Sequence, residues 1–429
     1  MDVKDKLLSV IEKGAPHILI GSLATRFVSL FASVFVVRIL SKTDYGVLSY
    51  YDNLYSYFFL FVGYGLINSV LRYIVIADTI EEKKSIFEYC KKNGTLFNFI
   101  LMTIGLFFAF FYKHPIQFID KKYCLIMMIL FLPAQYIINL NILTERAFYD
   151  NKRYASISFL YSSLLVSFKL AGAYLWALIG AVIFPLLVHF VFSFVISYAD
   201  GKKYFFNVSA VSISKDKKKE INDYAIQYMI TNGLWAVFTL NSTFILGRTI
   251  GDAVLLADYR IATVLPGLIS IISSSYGIFV APYFTKKESE KDYNWVKKNW
   301  KKVMFISGLT ITLAVGFLFF FAPSAITIVF GNKYASAYQI MRLLLVAALF
   351  DAGVRYPTAN LLASMNKVKY NMIVSCSGIF LQIVLATFLA YKYGVIGIAV
   401  SNIIVQLVMS IMINVFFVIC FFKRKYVSE

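Results

Sequence analysis

Three cations, Arg26, Lys169 and Arg260, each interrupt a long apolar run. A lone cation at the centre of a membrane span costs roughly 2.5–3.5 kcal/mol on insertion scales unless it faces protein, water or a ligand. Ser22, Arg26, Ser29 and Ser33 recur at i, i+4, i+7 and i+11, so they form one polar stripe on a helix. Lys169 lies fifteen residues into its run, about 22 Å along a helix, with no acidic residue within a turn. Gly267 and Ser274 continue the face of Arg260. All three cations are therefore read as facing a cavity. Asp52 is placed either against one of them or against substrate. Arg355 follows Asp351 by four residues, which allows an internal ion pair or a substrate contact equally. Arg38, Arg72 and Arg342 lie near the ends of apolar runs, where long side chains snorkel to the headgroups. The acidic residues assigned to the spans are Asp52, Asp351 and Asp223, three against seven bases. Such an excess suits an anionic ligand, a phosphate or diphosphate. Gln227, Thr231 and Trp235 share another face, with groups that suit sugar stacking and hydrogen bonding, although ordinary interhelical contact explains them too. His189, near Pro185, reads as a packed neutral histidine more readily than as a proton relay.

The elements holding these residues are membrane helices. The chain of 429 residues is 59% hydrophobic and 17% aromatic, with mean hydropathy +0.71, far from a soluble domain of this length. Runs long enough to cross about 30 Å of hydrocarbon fall near 15–40, 47–76, 94–112, 123–144, 154–176, 178–199, 222–248, 254–284, 303–322, 337–363, 371–391 and 395–421. The expectation is an all-α polytopic membrane protein of about twelve spans in two six-helix lobes. The lobes are placed at 1–206 and 221–429, with 207–220 as a cytoplasmic linker. With both termini in the cytoplasm, 28 of the 42 Lys and Arg fall in inside segments and 7 in outside loops, a strong positive-inside bias. The net charge of +19 thus reads as loop flanks attracted to anionic lipids, and not as a nucleic-acid surface.

The two halves echo each other. Asp44 and Tyr51 return as Asp252 and Tyr259, Asn151 to Tyr154 returns as Asn366 to Tyr370, and Gly180 returns as Gly397, at offsets of 208, 216 and 217. Parallel repeats of this kind place a substrate site between halves that rock for alternating access. Four scattered cysteines suggest neither a disulfide framework nor a metal site. No G-x-S-x-G, Walker loop, H-E-x-x-H or Asp-x-Asp pair occurs, so no enzyme and no resident cofactor is expected. Transport would run on an H+ or Na+ gradient or on the substrate gradient itself.

The turn from Arg38 to Gly46, the Arg146 to Tyr154 segment and Phe330-Gly331-Asn332-Lys333-Tyr334 resemble polysaccharide transporters of the Wzx type, the O-antigen flippases, in the superfamily of the MATE exporters and the lipid II flippase. The resemblance implies a flippase of the bacterial inner membrane. Its substrate would be an oligosaccharide repeat unit on undecaprenyl diphosphate, moved from the cytoplasmic to the periplasmic leaflet for O-antigen lipopolysaccharide or a related surface polysaccharide. Polymerase and chain-length proteins of the same pathway are the implied partners, and Arg26 and Arg260 would hold the diphosphate or an acidic sugar. The two extra C-terminal helices of the lipid II flippase have no counterpart. A MATE-like exporter of cationic drugs is the main alternative, and it would want acidic groups in its lumen. A membrane polymerase or glycosyltransferase would want a large outer loop, and a scaffold would not need Lys169 charged.

Overall fold

The computed structural model describes residues 24, 25, 27, 28, 31 and 33–422. Helices account for nearly all of it, and no strand occurs among the described residues. In chain order the helices are α1 (33–39), α2 (Lys42–Phe59), α3 (Leu66–Ile76), α4 (Ile80–Phe111), α5 (Tyr123–Ala147), α6 (Asn151–Tyr204), α7 (Lys215–Thr249), α8 (Ala253–Ser289), α9 (Tyr293–Phe320), α10 (Ala322–Phe330), α11 (Ala337–Ser364) and α12 (Val368–Phe421). Eight of them are long and apolar enough to cross a membrane, nine with the pair α2 and α3, bent by 48°.

Two of these, α6 and α12, run 54 residues each, about 81 Å at 1.5 Å per residue, and so cross twice. Nine crossing helices with two counted double give eleven crossings among the described residues, and the short α1 precedes them. The chain is a multi-pass membrane protein, and this count agrees with about twelve spans.

Both long helices break in the same way. Ala177 adopts φ 47°, ψ −129° within α6, and Gly394 adopts φ 61°, ψ −140° within α12, 217 residues later. Three residues past each break, Gly180 and Gly397 bring the returning arm against the outgoing one. A Cβ on Gly180 would lie 2.0 Å from the carbonyl oxygen of Gly172, and one on Gly397 would lie 2.0 Å from that of Leu389, again 217 residues apart. The repeat seen in the sequence is thus a repeat of backbone geometry.

The starts of the helices follow from local chemistry. The Ser41 hydroxyl accepts from Asp44 N, Thr79 from Glu82 N, and the carboxylates of Asp150, Asp252 and Asp292 cap α6, α8 and α9. Asp44 and Asp252 therefore differ in role, a first-turn acid in one and the cap itself in the other. Their partners Tyr51 and Tyr259 are both buried. Tyr51 donates to Phe118 O at 2.7 Å, and the Tyr259 hydroxyl accepts from Asn402 at 3.0 Å.

The chain divides into two compact units, Met1–Gly233 and Leu234–Glu429, so the boundary falls within α7. The first turns of α7 belong to the first unit because α3 holds them. Ser69 donates to Ile221 O at 3.1 Å, and the guanidinium of Arg72 lies 4.6 Å from the Tyr224 ring. Gly65, at φ 92°, has the Ala225 backbone where a Cβ would stand.

Candidate functional site

In the first unit, Lys169 and Asp52 meet. Lys169 lies eighteen residues beyond the start of α6, about 27 Å along the helix, and its Nζ is 3.6 Å from Asp52 Oδ2 on α2. Both side chains remain accessible, at 31% and 43%. The pair carries an ion contact without a direct hydrogen bond, which leaves the ammonium donors for a further anion. The partner comes from another helix, which is why none was visible within a turn of Lys169.

The second unit brings Asp351, Arg355 and Trp235 together. Arg355 Nε and Nη2 both lie 2.6 Å from Asp351 Oδ1, and its guanidinium carbon lies 4.1 Å from the centre of the Trp235 ring. Trp235 in turn stacks on Phe238 at 5.2 Å. Only 9% of the Arg355 side chain is accessible, so the guanidinium is bound by a carboxylate and an indole face at once. Asp351 and Arg355 lie within a π-helical turn, Leu349–Arg355, inside α11. Pro357 has no N–H to offer the Gly353 carbonyl, which helps to loosen the ladder here. Freed carbonyls find hydroxyls from neighbours: Ser410 on α12 donates to Phe350 O at 2.9 Å, and Ser273 on α8 donates to Ala352 O at 2.5 Å. Such turns concentrate at functional sites.

The other sequence candidates stand apart. The Arg260 side chain is exposed on α8, and among the described residues no partner holds its guanidinium. Gln227 and Thr231 are exposed in the first unit, whereas Trp235 belongs to the second. Asp223 is exposed, and Arg26 lies outside the described residues. Arg342 donates to Phe319 O at 3.1 Å and lies over the Phe319 and Tyr338 rings. His189 is buried, hydrogen-bonded to Pro185 O at 2.6 Å and stacked on Phe131 at 4.6 Å, which is the packed arrangement.

The count of three acids against seven bases needs correction. Asp258 is a fourth acid within a predicted span, buried on α8 and accepting from Ser336 Oγ at 2.9 Å. Glu145 and Asp200 each fall one residue past a predicted span end, yet both are fully buried. They converge on Arg153: Arg153 Nε is 2.9 Å from Glu145 Oε1, and Nη2 is 2.7 Å from Asp200 Oδ1. Among the described residues the cationic excess holds for the accessible groups of the predicted spans, Arg38, Arg72, Lys169, Arg260 and Arg342 against Asp52, Asp223 and Asp351, and not for the buried ones. Among the described residues no cluster of His, Cys, Asp and Glu suits a metal ion.

Solved structures share this fold. An inward-facing multidrug resistance MATE family transporter of the MOP superfamily superposes with TM-score 0.72 at 13% identity, over 94% of this chain and 96% of that one. The lipid II flippase MurJ, in an inward closed conformation, gives 0.72 at 15% identity, over 93% and 87%. A MOP superfamily transporter from Pyrococcus furiosus, described by a binding pocket of reversed polarity, gives 0.56 at 14%, over 95% of each chain. The chain shares its fold with these transporters. The family profile described as Polysaccharide biosynthesis protein matches residues 11–287, and the chain belongs to that family. No curated protein matches the sequence.

Proposed function

We propose that this protein flips lipid-linked oligosaccharide repeat units, carried on undecaprenyl diphosphate, from the cytoplasmic to the periplasmic leaflet of a bacterial inner membrane, for O-antigen or a related surface polysaccharide. The observation that carries the reading is the pair of accessible cations within apolar helices, Lys169 deep in α6 and Arg260 two turns into α8, one in each unit of a polysaccharide biosynthesis family member. An ammonium or guanidinium kept inside an apolar helix is costly unless it serves an anion or a water-filled path, and a diphosphate is such an anion. Arg26 joins this set by its serine stripe, whereas Arg355, nearly buried against Asp351 and Trp235, braces the second unit. Movement would follow alternating access of the two units, with an H+ or Na+ gradient as the driving force.

The test is a deletion strain complemented with the wild-type, Lys169→Met or Arg260→Ala gene. The expected result is loss of surface glycan in the deletion, with lipid-linked repeat units accumulating, rescue by the wild type, and rescue reduced at least tenfold in the variants at equal membrane levels. Unaltered surface glycan in the deletion strain overturns the reading. Sensitivity to cationic drugs as its sole phenotype would instead identify a multidrug exporter.

A further inference from the structure

The α5–α6 junction holds a charge cluster that the transport reading does not use. Glu145 from the end of α5, Arg153 from the first turn of α6, and Asp200, Lys203 and Tyr204 from the last turns of α6 meet beside the cap residue Asp150. The side chains of Glu145 and Asp200 are fully buried. Lys203 Nζ is 2.5 Å from Asp150 Oδ2 and 3.5 Å from Glu145 Oε2, and the Tyr204 hydroxyl donates to Glu145 Oε2. From the neighbouring elements, Lys83 on α4 faces the Phe148 ring at 5.6 Å and Arg146 faces the Tyr154 ring at 5.9 Å.

Three carboxylates against two cations leave the cluster one negative charge in excess, and the excess falls on the buried pair. Asp150 is partly exposed and committed to Lys203, whose hydrogen bond, followed by that from Arg153 N, holds the Asp150 carboxyl below its usual range despite some burial. Glu145 and Asp200 therefore share the guanidinium of Arg153. Asp200 Oδ2 is sealed from solvent and has no hydrogen-bond donor, and Glu145 Oε1 meets only the ion contact from Arg153 Nε, while the two carboxyls are brought together on neighbouring nitrogens of one guanidinium, Nε and Nη2. Two like charges at such a site cannot both ionise cheaply.

The second unit shows that the fold does not need these charges. At the 217-residue offset set by the two helix breaks, Glu145 and Asp200 correspond to Leu362 and Phe417, both fully buried in one apolar cluster with Trp300 stacked on Phe417 at 4.7 Å. The same junction closes by hydrophobic packing in one unit and by charges in the other. A charged junction that an apolar one can replace is weak evidence for stability alone.

We propose that Glu145 and Asp200 form a proton-binding site that shares a single proton, and that this proton ties the two ends of α6 to α5. Binding it neutralises the cluster and gives the buried, donor-less Asp200 Oδ2 a hydrogen. Losing it leaves two buried carboxylates on one guanidinium, and the junction loosens.

The full-length protein in detergent, as wild type, Glu145→Gln and Asp200→Asn, tests this by infrared spectroscopy and thermal unfolding from about pH 5 to about pH 9. Each substitution mimics the protonated carboxyl, so the remaining acid ionises beside Arg153. The expected result is a protonated-carboxyl band in the wild type at neutral pH that both variants lack. Because the native state binds a proton that the unfolded chain releases, wild-type stability falls as pH rises, by up to tenfold in the unfolding constant per pH unit. The variants flatten that slope. A band and a slope unchanged by both substitutions overturn the proposal. Where neither variant folds, the wild-type profile decides, and a melting temperature that stays level or rises over this range overturns it.

Discussion

Arg355 is held twice, by Asp351 and by the face of Trp235, and removing it damages both partners. Arg355→Ala leaves a carboxylate that is only 20% accessible without its counter-ion, so stability should fall by roughly 3 kcal/mol. Arg355→Lys should recover part of that loss, since an ammonium keeps the charge but not the planar stack. Melting of the two variants in detergent checks the order. At Asp150 the sign of the pH effect is fixed by its depressed pKa. Its contribution is present above the unfolded value of about 4 and is lost as pH falls through the lower folded value. Asp150→Asn keeps an oxygen to cap α6 and removes the charge, so its melting temperature should lie below that of the wild type near neutrality and converge with it in acid. The i, i+4 spacing made the Arg355–Asp351 pair legible in the sequence. Nothing local revealed Glu145 and Asp200, because hydropathy ends a span where charge begins, and the Arg153–Asp200 contact joins residues 47 apart. Asp258, beside the repeated Tyr259, is legible in the sequence as an acid within an apolar run.

The helix hairpins show where local sequence and backbone strain part company. Gly394 takes φ 61° without strain, but Ala177 takes φ 47° with a Cβ, in a region that L side chains avoid. Ala177→Gly should therefore stabilise the protein by about 1 kcal/mol, and Gly394→Ala should destabilise it by a similar amount. Unchanged melting in both would show that the breaks do not carry the strain their dihedrals imply. Gly180→Ala and Gly397→Ala should each cost about 1–3 kcal/mol or more, since backbone oxygens stand 2.0 Å from the added carbon and have no rotamer to move to. These breaks were legible as gaps between apolar runs, and Gly180 and Gly397 as an echo in the sequence. The π turn in α11 was not, because Pro357 marks a weak ladder but the hydroxyls that stabilise the turn come from α8 and α12.

For the whole molecule, the two units share a backbone plan and differ in what fills it. The first unit uses charges at its α5–α6 junction and an ion pair at Lys169; the second uses apolar packing and the Arg355–Trp235 stack. A common backbone thus carries unequal charge in its two units. In the proposed topology 28 of the 42 basic residues fall in inside segments and 7 in outside loops. Each misplaced cation would oppose insertion, and on that ground we propose that both termini are cytoplasmic. A Cys376→Ser background removes the exposed thiol and leaves Cys90, Cys124 and Cys420 buried. In that background Lys392→Cys, in a predicted outer connection, should react with a membrane-impermeant maleimide in intact spheroplasts. Lys219→Cys, before the apolar part of α7, should react only in inverted vesicles. The opposite pattern would place the charge-rich loops outside, and the direction proposed for lipid-linked transport would have to be reversed with them.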